Sequence, residues 1–305
     1  MNTQEPFVIV LVLSYNGRVL LDDCLNSYLN NTYSNFELVV IDNGSTDGTE
    51  QFVKANFPVV QTIRLETNRG YSGGFNYGLE YAIKEKEADY VLVTNNDVIA
   101  DKNLIFELVK VAKKDTMIGF VTGKVYYNEK KNNNDIIQTV GKLSHPMSLV
   151  GEHIGTDEKD EGQYDNVEER EFIDDVFTLV NRKVIEKTGG YDETFFLDFE
   201  EADWQLRSKK LGYKIFYTPY AKLWHKLGMS TGGTTSPLRT FYLKRNQIIF
   251  TKKHLTPNKF LLYLVTLVLF ILPKQILNKI NTARYNLITP LLRGTLSGLK
   301  YIIKN

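Results

Sequence analysis

The sequence predicts an α/β protein with a mostly parallel central sheet and a helical extension at its C-terminal end. Three observations predict this fold. Short apolar runs alternate with amphipathic stretches through the first half of the 305-residue chain, as in right-handed strand–helix–strand crossovers of an open sheet. The first run, FVIVLVL, contains no polar residue, as expected for a parallel strand covered on both faces. Residues 236–305 differ in charge and hydropathy from everything before them.

Strands and helices are predicted in strict alternation up to residue 114. The strands are expected at 7–13, 38–41, 59–65 and 90–94, and the helices at 18–29, 47–56, 73–86 and 102–114. Asp47 followed by Glu50 resembles a capping box at the start of the second helix.

Residues 126–171 interrupt this alternation. The runs KKNNND and DEKDEGQYDNVEERE are polar and rich in turn formers, which predicts a solvated excursion without regular structure. A strand near 176–180, a helix at 200–211 and a strand at 213–217 are expected after it.

The extension contains an apolar run of 13 residues, FLLYLVTLVLFIL (260–272), in which only Thr266 is polar and which Pro273 closes. A helix needs about 20 residues to cross a bilayer, so a crossing is not expected. The run is therefore either a buried core helix or an interfacial anchor. The lysines around it favour the anchor: Lys252, Lys253, Lys259, Lys274 and Lys279.

The net charge of +1 conceals a strong asymmetry. Residues 236–305 contain 12 of the chain's 37 Lys and Arg residues and none of its 36 Asp and Glu residues. A basic segment indicates an anionic partner, either a membrane surface or a nucleic acid. Three of its eight aromatic residues (Phe260, Tyr263 and Phe270) lie inside the aliphatic run, apart from the basic ones, which disfavours nucleic acid. A membrane surface is therefore the expected partner, with packing against protein or a homodimer as the alternative.

The compartment is predicted from the cysteine count and the N-terminus. Cys24 is the single cysteine, which excludes an intramolecular disulfide and a multi-cysteine zinc site and suits a reducing compartment. The start MNTQEPFVIV lacks the basic region and the cleavage site of a signal peptide. We expect a cytoplasmic protein, peripheral on the inner face of the cell membrane.

Polar clusters follow the four predicted strands, at the ends where an open parallel sheet binds ligands. One cluster is explained by a turn or a helix cap, but four clusters at one edge favour a ligand site. They are 14–17 (SYNG), 42–45 (DNGS), 68–74 (NRGYSGG) and 95–97 (NND).

The residue types in these clusters suit a nucleotide. Asp42 can accept a hydrogen bond from the amide or imide edge of a base, and Tyr15 can stack on a ring. The glycines of 68–74 permit close backbone approach to phosphate oxygens. The motif G-x-G-x-x-G is absent after the first strand and G-x-x-x-x-G-K-[ST] is absent from the sequence, which disfavours dinucleotide-dependent dehydrogenases and P-loop enzymes.

The last cluster is a candidate metal site. Asp97 offers a carboxylate, and Asn95 and Asn96 offer amide oxygens; hard divalent cations often bind through one or two carboxylates plus substrate phosphates. The same residues form a good turn, so both interpretations stay open. His225, after the last predicted strand, is either a structural residue or a ligand.

A second informative segment is FFLDFEEADWQLR (195–207). If the helix begins at Glu200, Asp203 and Arg207 can pair across one turn. Glu200 and Glu201 either stabilise the helix N-terminus or act as a general base, because neighbouring carboxylates raise one another's pKa.

Together these motifs resemble the inverting glycosyltransferases of family 2, which have the GT-A fold, and within them the rhamnosyltransferase-like branch. The resemblance covers roughly residues 6–250. The matching segments are VLSYNG (12–17), VVIDNGSTDGT (39–49), NRGYSGGFNYG (68–78), VTNNDV (93–98), GGYDETFFLDFEEADWQLRSKKLGYKI (189–215), WHKLGMS (224–230) and KRN (244–246).

The resemblance implies transfer of a sugar, with inversion, from a nucleotide diphosphate donor to a hydroxyl of a glycan or polyprenyl-linked acceptor in cell-surface polysaccharide synthesis. L-rhamnose from dTDP-rhamnose is the expected donor sugar. The alternatives are a UDP-hexose or UDP-N-acetylhexosamine donor, or a non-catalytic nucleotide-sugar-binding protein. The catalytic domain would be 1–235, with a nucleotide-sugar half at about 1–125 and an acceptor half at about 126–235, followed by the extension 236–305.

The resemblance also implies a role for each candidate residue. Asp97, in the family's D-x-D position, would bind Mg²⁺ or Mn²⁺, with His225 as a further ligand. Glu201 would be the general base, a role that Glu200 or Asp198 could share. The donor site would comprise Tyr15, Asn16, Asp42, Asn68, Arg69, Gly70, Gly73, Asn95 and Asn96.

The sequence departs from the family pattern at three positions. Asn95 replaces the first carboxylate of D-x-D, and Glu201 replaces an aspartate as the base. Asp175-Val176 stands where a Gly-Ala pair usually precedes the acceptor-side strand.

Overall fold

The computed structural model describes residues 5–128, 135–226 and 236–304. Its strands are β1 (Val8–Ser14), β2 (Phe36–Asp42), β3 (Gln61–Arg64), β4 (Tyr90–Asn95), β5 (Val98–Ala100), β6 (Ile118–Tyr127), β7 (Ile137–Thr139), β8 (Lys142–His145), β9 (Leu149–His153), β10 (Glu168–Glu169), β11 (Phe177–Asn181) and β12 (Lys214–His225). Its α-helices are α1 (Arg18–Leu29), α2 (Thr49–Asn56), α3 (Gly70–Lys84), α4 (Leu104–Ala112), α5 (Arg182–Thr188), α6 (Glu200–Lys209), α7 (Pro237–His254), α8 (Pro257–Thr266), α9 (Leu272–Asn281) and α10 (Ile288–Lys304).

The central sheet has the strand order β10-β12-β6-β11-β4-β1-β2-β3. The half formed by β4, β1, β2 and β3 is parallel. In the other half, β11 runs antiparallel to β4 and β6, whereas β6 and β12 are parallel. The predicted α/β fold with a mostly parallel central sheet and a C-terminal helical extension is confirmed.

The register of the parallel half places the predicted polar clusters side by side. Ser14 pairs with Asp42 across β1 and β2, Leu13 pairs with Asn95 across β1 and β4, and Asp42 pairs with Arg64 across β2 and β3. The four clusters therefore meet at one edge, as expected for the carboxyl ends of parallel strands.

The apolar patterning explains why these strands occupy the middle of the sheet. In β1, the five residues from Val8 to Val12 have no exposed surface. Alternate residues of β1 belong to two hydrophobic clusters, one on each face of the sheet. The prediction that this strand is covered on both sides is correct.

Helix α2 begins two residues later than expected. Gly48 is its N-cap in the left-handed region (φ 82°), and Asp47 accepts hydrogen bonds from the backbone N–H (3.1 Å) and hydroxyl (2.6 Å) of Thr49. Glu50 pairs with Lys54 (2.7 Å) and does not reach back to Asp47. The predicted capping box is therefore wrong, although Asp47 does cap the helix.

Residues 126–171 are not the unstructured excursion that their polarity predicts. They contain four short strands, of which β7 and β10 extend the central sheet, while β8 and β9 form a hairpin. The acidic run is held by the buried Lys124, which pairs with Asp160 (2.8 Å) and Asp165 (3.0 Å). Part of KKNNND (130–134) and part of the 224–230 motif (227–230) lie outside the described residues.

The extension forms a layer of helices beside the sheet. α7 and α10 pack along each other, and Gly298 allows this because a Cβ there would lie 2.9 Å from the carbonyl oxygen of Arg245. Between them, α8 and α9 join through a π-helical turn (Leu267–Ile271) into one helix, Pro257–Asn281. It has 25 residues and is long and apolar enough to cross a membrane by length and composition. Only 17% of its most apolar 18-residue segment is buried. Pro273 does not end it, so the expected 13-residue limit is wrong.

Candidate active site

The first wall of the site is the edge formed by β1, β2 and β4. The Asn96 amide donates to the Ser14 hydroxyl (3.1 Å), and the backbone N–H of Asn43 donates to the Ser14 carbonyl (2.8 Å). Asn96 is 3% exposed. It therefore ties the ends of β1 and β4 together, and its side-chain N–H is turned toward the protein.

Asp42 is the last residue of β2 at this edge and has no exposed surface. One carboxylate oxygen accepts from the backbone N–H of Ser45 (2.8 Å), and the other accepts from the Arg64 guanidinium (2.6 Å). Each oxygen keeps a second lone pair, but the carboxylate is covered, so the half-exposed Arg64 side chain would have to move before a base edge could donate to it. Arg64 was placed inside the predicted strand 59–65, but β3 ends there, and the strand-end rule applied at that boundary would have found it.

Tyr15 and Asn16 form the rim of the same edge. Asn16 is in the left-handed region (φ 50°), and its side-chain oxygen accepts from the backbone N–H of Thr46 (2.8 Å). Its own N–H donates to Ser45 Oγ (2.9 Å). Tyr15 is 45% exposed, so its ring is accessible for stacking.

The loop 68–74 is shaped by protein packing. Gly70 has φ 73°, and a Cβ there would lie 2.5 Å from the Phe196 ring; a Cβ on Gly73 would lie 2.8 Å from the Arg69 side chain. Asn68 accepts from the backbone N–H of Gly70 (2.8 Å). Packing against protein side chains therefore accounts for both glycines, and the role of Gly70 and Gly73 in donor binding stays a prediction.

Arg69 is the cation of this loop. Its guanidinium pairs with Glu193 at 3.3 Å, and both side chains are about half exposed. Such an exposed pair contributes little energy, so Arg69 can turn toward a diphosphate at modest cost.

Asp97 and His225 form the candidate metal centre. β5 pairs with β12 so that Val98 faces His225, which brings His225 Nε2 to 3.2 Å from an Asp97 carboxylate oxygen. Asp97 is 1% exposed and His225 is 8% exposed. On its other side, His225 Nδ1 lies 2.9 Å from the side-chain oxygen of Gln138.

This donor set fits a divalent cation. If His225 Nδ1–H donates to Gln138, the unprotonated Nε2 directs its lone pair at the Asp97 carboxylate. A cation bound between them would remove this repulsion. Within 5–128, 135–226 and 236–304, three or more His, Cys, Asp or Glu do not gather around one metal position. The remaining ligands would therefore come from the diphosphate, as is common for Mg²⁺. Asn95 is partly buried next to this pair, and its backbone N–H donates to the Val176 carbonyl (3.1 Å).

The second wall carries the candidate base. Glu201 lies in the first turn of α6, and its side chain is 17% exposed. Its Oε1 accepts from the Lys142 ammonium (2.9 Å), which also contacts Asp174 (2.5 Å). Burial alone lowers the pKa of Lys142, but the charges of Asp174 and Glu201 outweigh it and raise that pKa above its usual value. Lys142 is therefore charged and ion-paired to Glu201.

Glu200 is a neighbour of Glu201 in a different environment. It is 5% exposed, and among the described residues its Oε2 has no hydrogen-bond partner. Burial, and then the charges of Glu201 and Asp198, raise its pKa well above the usual value. Burial therefore favours the protonated form of Glu200, and a shared role as the base stays a prediction.

Asp175 and Val176 connect the two walls. Val176 accepts from the backbone of Asn95, and Asp175 accepts from the Tyr191 hydroxyl (2.5 Å). Burial, and then the charge of Glu201, raise the pKa of Asp175 to about 7. The residues that replace the family's Gly-Ala pair thus lie between the metal candidate and the base candidate.

The segment before α6 is held by α7. Asp198 and Phe199 both have positive φ (66° and 76°), which side chains other than glycine rarely adopt. The Asn246 amide donates to the carbonyls of Leu197 (2.8 Å) and Asp198 (3.0 Å), and Arg239 pairs with the Asp198 carboxylate (3.0 Å).

Sequence reasoning missed the roles of Lys142 and Asn246 in this wall. Lys142 lies in the segment interpreted as solvated, and one lysine between apolar residues carries no specific signal. Asn246 belongs to the quoted KRN segment, but its contact with the loop before α6 depends on the packing of α7, which the sequence pattern does not specify.

Comparisons with known proteins agree with this architecture. The sequence model of glycosyl transferase family 2 matches residues 9–189, more than half of the chain. The poly-beta-1,6-N-acetyl-D-glucosamine synthase of Staphylococcus aureus (strain COL) is 27% identical over 232 residues, which are 73% of this chain and 50% of the relative. The chain thus spans about half the length of the curated relatives it matches.

Two solved structures share the fold at low identity. GalNAc-T7 with UDP, GalNAc and Mn²⁺ has a TM-score of 0.62 and 14% identity, covering 81% of this chain and 48% of that one. The mannosyltransferase PcManGT from Pyrobaculum calidifontis, in complex with GDP-Man and Mn²⁺, has a TM-score of 0.58 and 15% identity, covering 97% and 88%. With the matched family model, the polar sheet edge and the carboxylates at the start of α6, the chain belongs to glycosyltransferase family 2.

Proposed function

We propose that this protein transfers a glycosyl residue, with inversion, from a nucleoside diphosphate sugar to an acceptor hydroxyl, with Glu201 as the general base. The observation that carries the proposal is the convergence of three groups of residues. The Asp42 edge, the Asp97–His225 pair and the Glu201–Lys142 pair are connected through Asn95, Val176 and Asp175. A donor held along the first wall would present its sugar toward the second.

Each group has a distinct task in this proposal. Asp42 accepts from the base of the donor, and the exposed Tyr15 ring stacks on it. Asp97 and His225 would hold Mg²⁺ or Mn²⁺, which when bound neutralises the negative charge of the leaving diphosphate. Lys142 contacts Oε1 of Glu201, so Oε2 is the oxygen that accepts the acceptor's proton as the acceptor oxygen attacks the anomeric carbon.

We infer that the donor is a UDP-N-acetylhexosamine. The curated relative is a poly-N-acetylglucosamine synthase, and one of the solved structures contains UDP, GalNAc and Mn²⁺. Both observations favour the alternative donor over dTDP-rhamnose. The rhamnosyltransferase-like branch has no support among these comparisons and stays a prediction from the sequence motifs.

The acceptor side of the proposal includes a membrane surface. Six large apolar side chains between residues 261 and 270 are 46% to 66% exposed: Leu261, Leu262, Val265, Val268, Leu269 and Phe270. The opposite face of the same helix packs on α7 and α10, through Phe260, Tyr263 and Leu267. Both ends of this helix lie beside α7, through Phe260 at one end and Lys279 at the other, which favours a helix lying on the surface over one crossing it.

The test of the proposed reaction is a donor panel with the full-length protein. Thermal shift and sugar-nucleotide hydrolysis are measured with UDP-GlcNAc, UDP-GalNAc, UDP-glucose, GDP-mannose and dTDP-rhamnose, each with Mn²⁺ and with EDTA. We expect stabilisation and slow hydrolysis with a UDP-N-acetylhexosamine, and loss of both with EDTA. Stabilisation without turnover under any condition, including added lipid-linked acceptors, would support the non-catalytic alternative instead.

A further inference from the structure

A basic cavity lies between α7 and the end of the α8–α9 helix. Its volume is about 350 Å³, within the range of small-molecule sites. Four cationic side chains line it, Arg239, Lys244, Lys279 and Arg284, together with Gln275 and Phe199. Arg239 is paired with Asp198 (3.0 Å), but among the described residues no carboxylate lies within 4.0 Å of Lys244, Lys279 or Arg284.

Lys244 is the unusual member of this group. It is 3% exposed, and its ammonium donates to the side-chain oxygen of Gln247 (2.7 Å). Among the described residues it has no carboxylate within 4.0 Å. Burial, and then the charge of Lys279, lower its pKa to about 8. A buried cation without a counter-charge is costly, so a retained one indicates that an anion completes the site.

Gln275 provides a second, independent observation. Its side-chain oxygen is buried, lines the same cavity, and has no hydrogen-bond partner among the described residues. Buried polar groups are normally satisfied. A rotation of this amide would present its N–H₂ to a ligand, next to the ammonium groups of Lys244 and Lys279.

We propose that this cavity binds the diphosphate group of a lipid-linked acceptor. The inference rests on the proposed glycosyl transfer and names the acceptor class for it. Charged donors around a cavity recognise phosphate oxygens through charge-assisted hydrogen bonds. Leu243, Leu287 and Leu291 supply the apolar part of the lining, against which the first units of a lipid chain can pack.

The position of the cavity connects the proposed diphosphate site to the candidate base. Phe199 lines the cavity and lies two residues before Glu201, and Arg239 both lines the cavity and pairs with Asp198. The exposed apolar face of Pro257–Asn281 lies on the same helix as Gln275 and Lys279. A lipid whose diphosphate fills the cavity would therefore carry its sugar toward the segment that leads from Phe199 to Glu201.

The probe for the test is farnesyl diphosphate below its micelle concentration, added to full-length protein whose donor site is filled with excess UDP and Mg²⁺. We compare wild type with Lys244→Met and Lys279→Ala, and use the exposed Lys300→Met as a control of equal charge in the same extension. We expect both cavity variants to weaken farnesyl diphosphate binding about tenfold or more, as for loss of a charge-assisted contact. Lys300→Met should bind like the wild type.

Two further measurements separate the alternatives. UDP binding should be the same in all four proteins, and Lys244→Met should have a higher melting temperature than the wild type because it removes an uncompensated buried charge. Inorganic diphosphate should bind more weakly than farnesyl diphosphate. Equal binding of the two would contradict a lipid source and indicate a site for soluble diphosphate.

The proposal is overturned if Lys244→Met and Lys279→Ala bind farnesyl diphosphate as tightly as the wild type does. That result is distinguishable from failure of the proposed function. If the cavity inference alone is wrong, a nucleotide sugar still stabilises the protein and is hydrolysed. If the proposed function is wrong, farnesyl diphosphate binds and depends on Lys244, but no nucleotide sugar is turned over.

Discussion

Glu200 and Glu201 show how one residue step along a helix separates two chemical roles. Glu201 lies at the cleft with an ammonium partner, whereas Glu200 is buried with one oxygen that has no partner among the described residues. Burial and the neighbouring carboxylates raise the pKa of Glu200 well above its usual value, whereas Glu201 is ion-paired to Lys142. Sequence spacing alone could not make this distinction.

Changing Glu201 to Gln should lower kcat by about 10²–10⁴-fold, because the amide keeps the shape but cannot accept a proton. Binding of the nucleotide donor should persist, which isothermal titration can measure. Glu200→Gln is the matched control, since it makes the same change at the buried neighbour, and it should retain most of the activity. Near-normal turnover in Glu201→Gln would move the role of base to Asp198 or Glu200.

Asp175 predicts a pH-dependent stability. A carboxyl whose folded-state pKa is raised, here from 3.8 to about 7, favours folding while it is protonated. That contribution is present below the unfolded pKa and is lost as the pH rises through about 7. Asp175→Asn, which stays neutral, should therefore be more stable than the wild type by about 2 kcal/mol near pH 8, a value reduced for partial exposure.

Urea denaturation between about pH 4 and pH 8 measures this difference. The two proteins should be equally stable at the acidic end, where both side chains are neutral. A constant difference across the whole range would mean that Asp175 does not titrate within it. The control is Asp115→Asn, because Asp115 pairs with Lys214 at the surface and its pKa is lowered.

At the scale of elements, the sequence predicted the parallel half of the sheet well and the middle of the chain poorly. The strands β1 and β4 are uniform apolar runs, so local composition determines their position. The segment 126–171 is polar because its strands are short edges of the sheet, and β8 and β9 form a separate hairpin. Its core contacts are a few separated residues, such as Ile137, Val140 and Lys142, which no periodic pattern predicts.

The same reasoning explains which site residues could be predicted. Asp42, Asn95 and Asp97 follow buried strands, so the rule for strand ends places them together without knowledge of the structure. Lys142 and Asn246 reach the site through a hairpin and a helix that are distant in sequence. Their positions depend on long-range packing, for which one sequence contains no signal.

Helix α7 is expected to hold the segment before α6, residues 197–199, in the conformation that positions Glu201. Asn246→Ala removes both hydrogen bonds to the Leu197 and Asp198 carbonyls, so the left-handed backbone before α6 loses its support. We expect kcat to fall about 10–100-fold, because small displacements of a catalytic group are costly. The affinity for UDP should not change, since the donor edge lies on other elements.

A control must separate this effect from general destabilisation. Thr295→Ala removes a buried hydroxyl whose hydrogen bond goes to the Leu291 carbonyl within α10 and not to the segment before α6. It should lower the melting temperature and leave kcat unchanged. If both variants lose activity in proportion to their stability, α7 is a structural support only.

At the scale of the whole molecule, charge and apolar surface are concentrated in the same layer. The extension carries 12 basic residues and no acidic residue, and its long helix exposes an apolar face. A monomeric soluble protein rarely exposes so contiguous an apolar surface. The packing of α10 on α7 favours a surface-bound helix over a crossing helix, because it keeps the segment after the long helix beside α7.

Full-length protein should therefore float with vesicles that contain phosphatidylglycerol, and added salt should weaken this binding without abolishing it. Each Lys or Arg near an anionic surface contributes about 1 kcal/mol, which salt screens, whereas burial of the apolar face is not screened. Leu262→Glu combined with Leu269→Glu should abolish flotation, because both side chains are more than half exposed and a carboxylate resists entering the acyl boundary.

These substitutions are a sharper test than removal of residues 236–305, because truncation would also expose the apolar side chains that α7 covers, including Phe195 and Ala202. Leu211→Glu, at an equally exposed position outside the extension, is the matched control and should float like the wild type. If the wild type stays at the bottom of the gradient at low salt and elutes as a dimer, the apolar face is a subunit interface. The acceptor would then have to reach Glu201 from solution, and the glutamate pair would yield monomers instead of protein released from membranes.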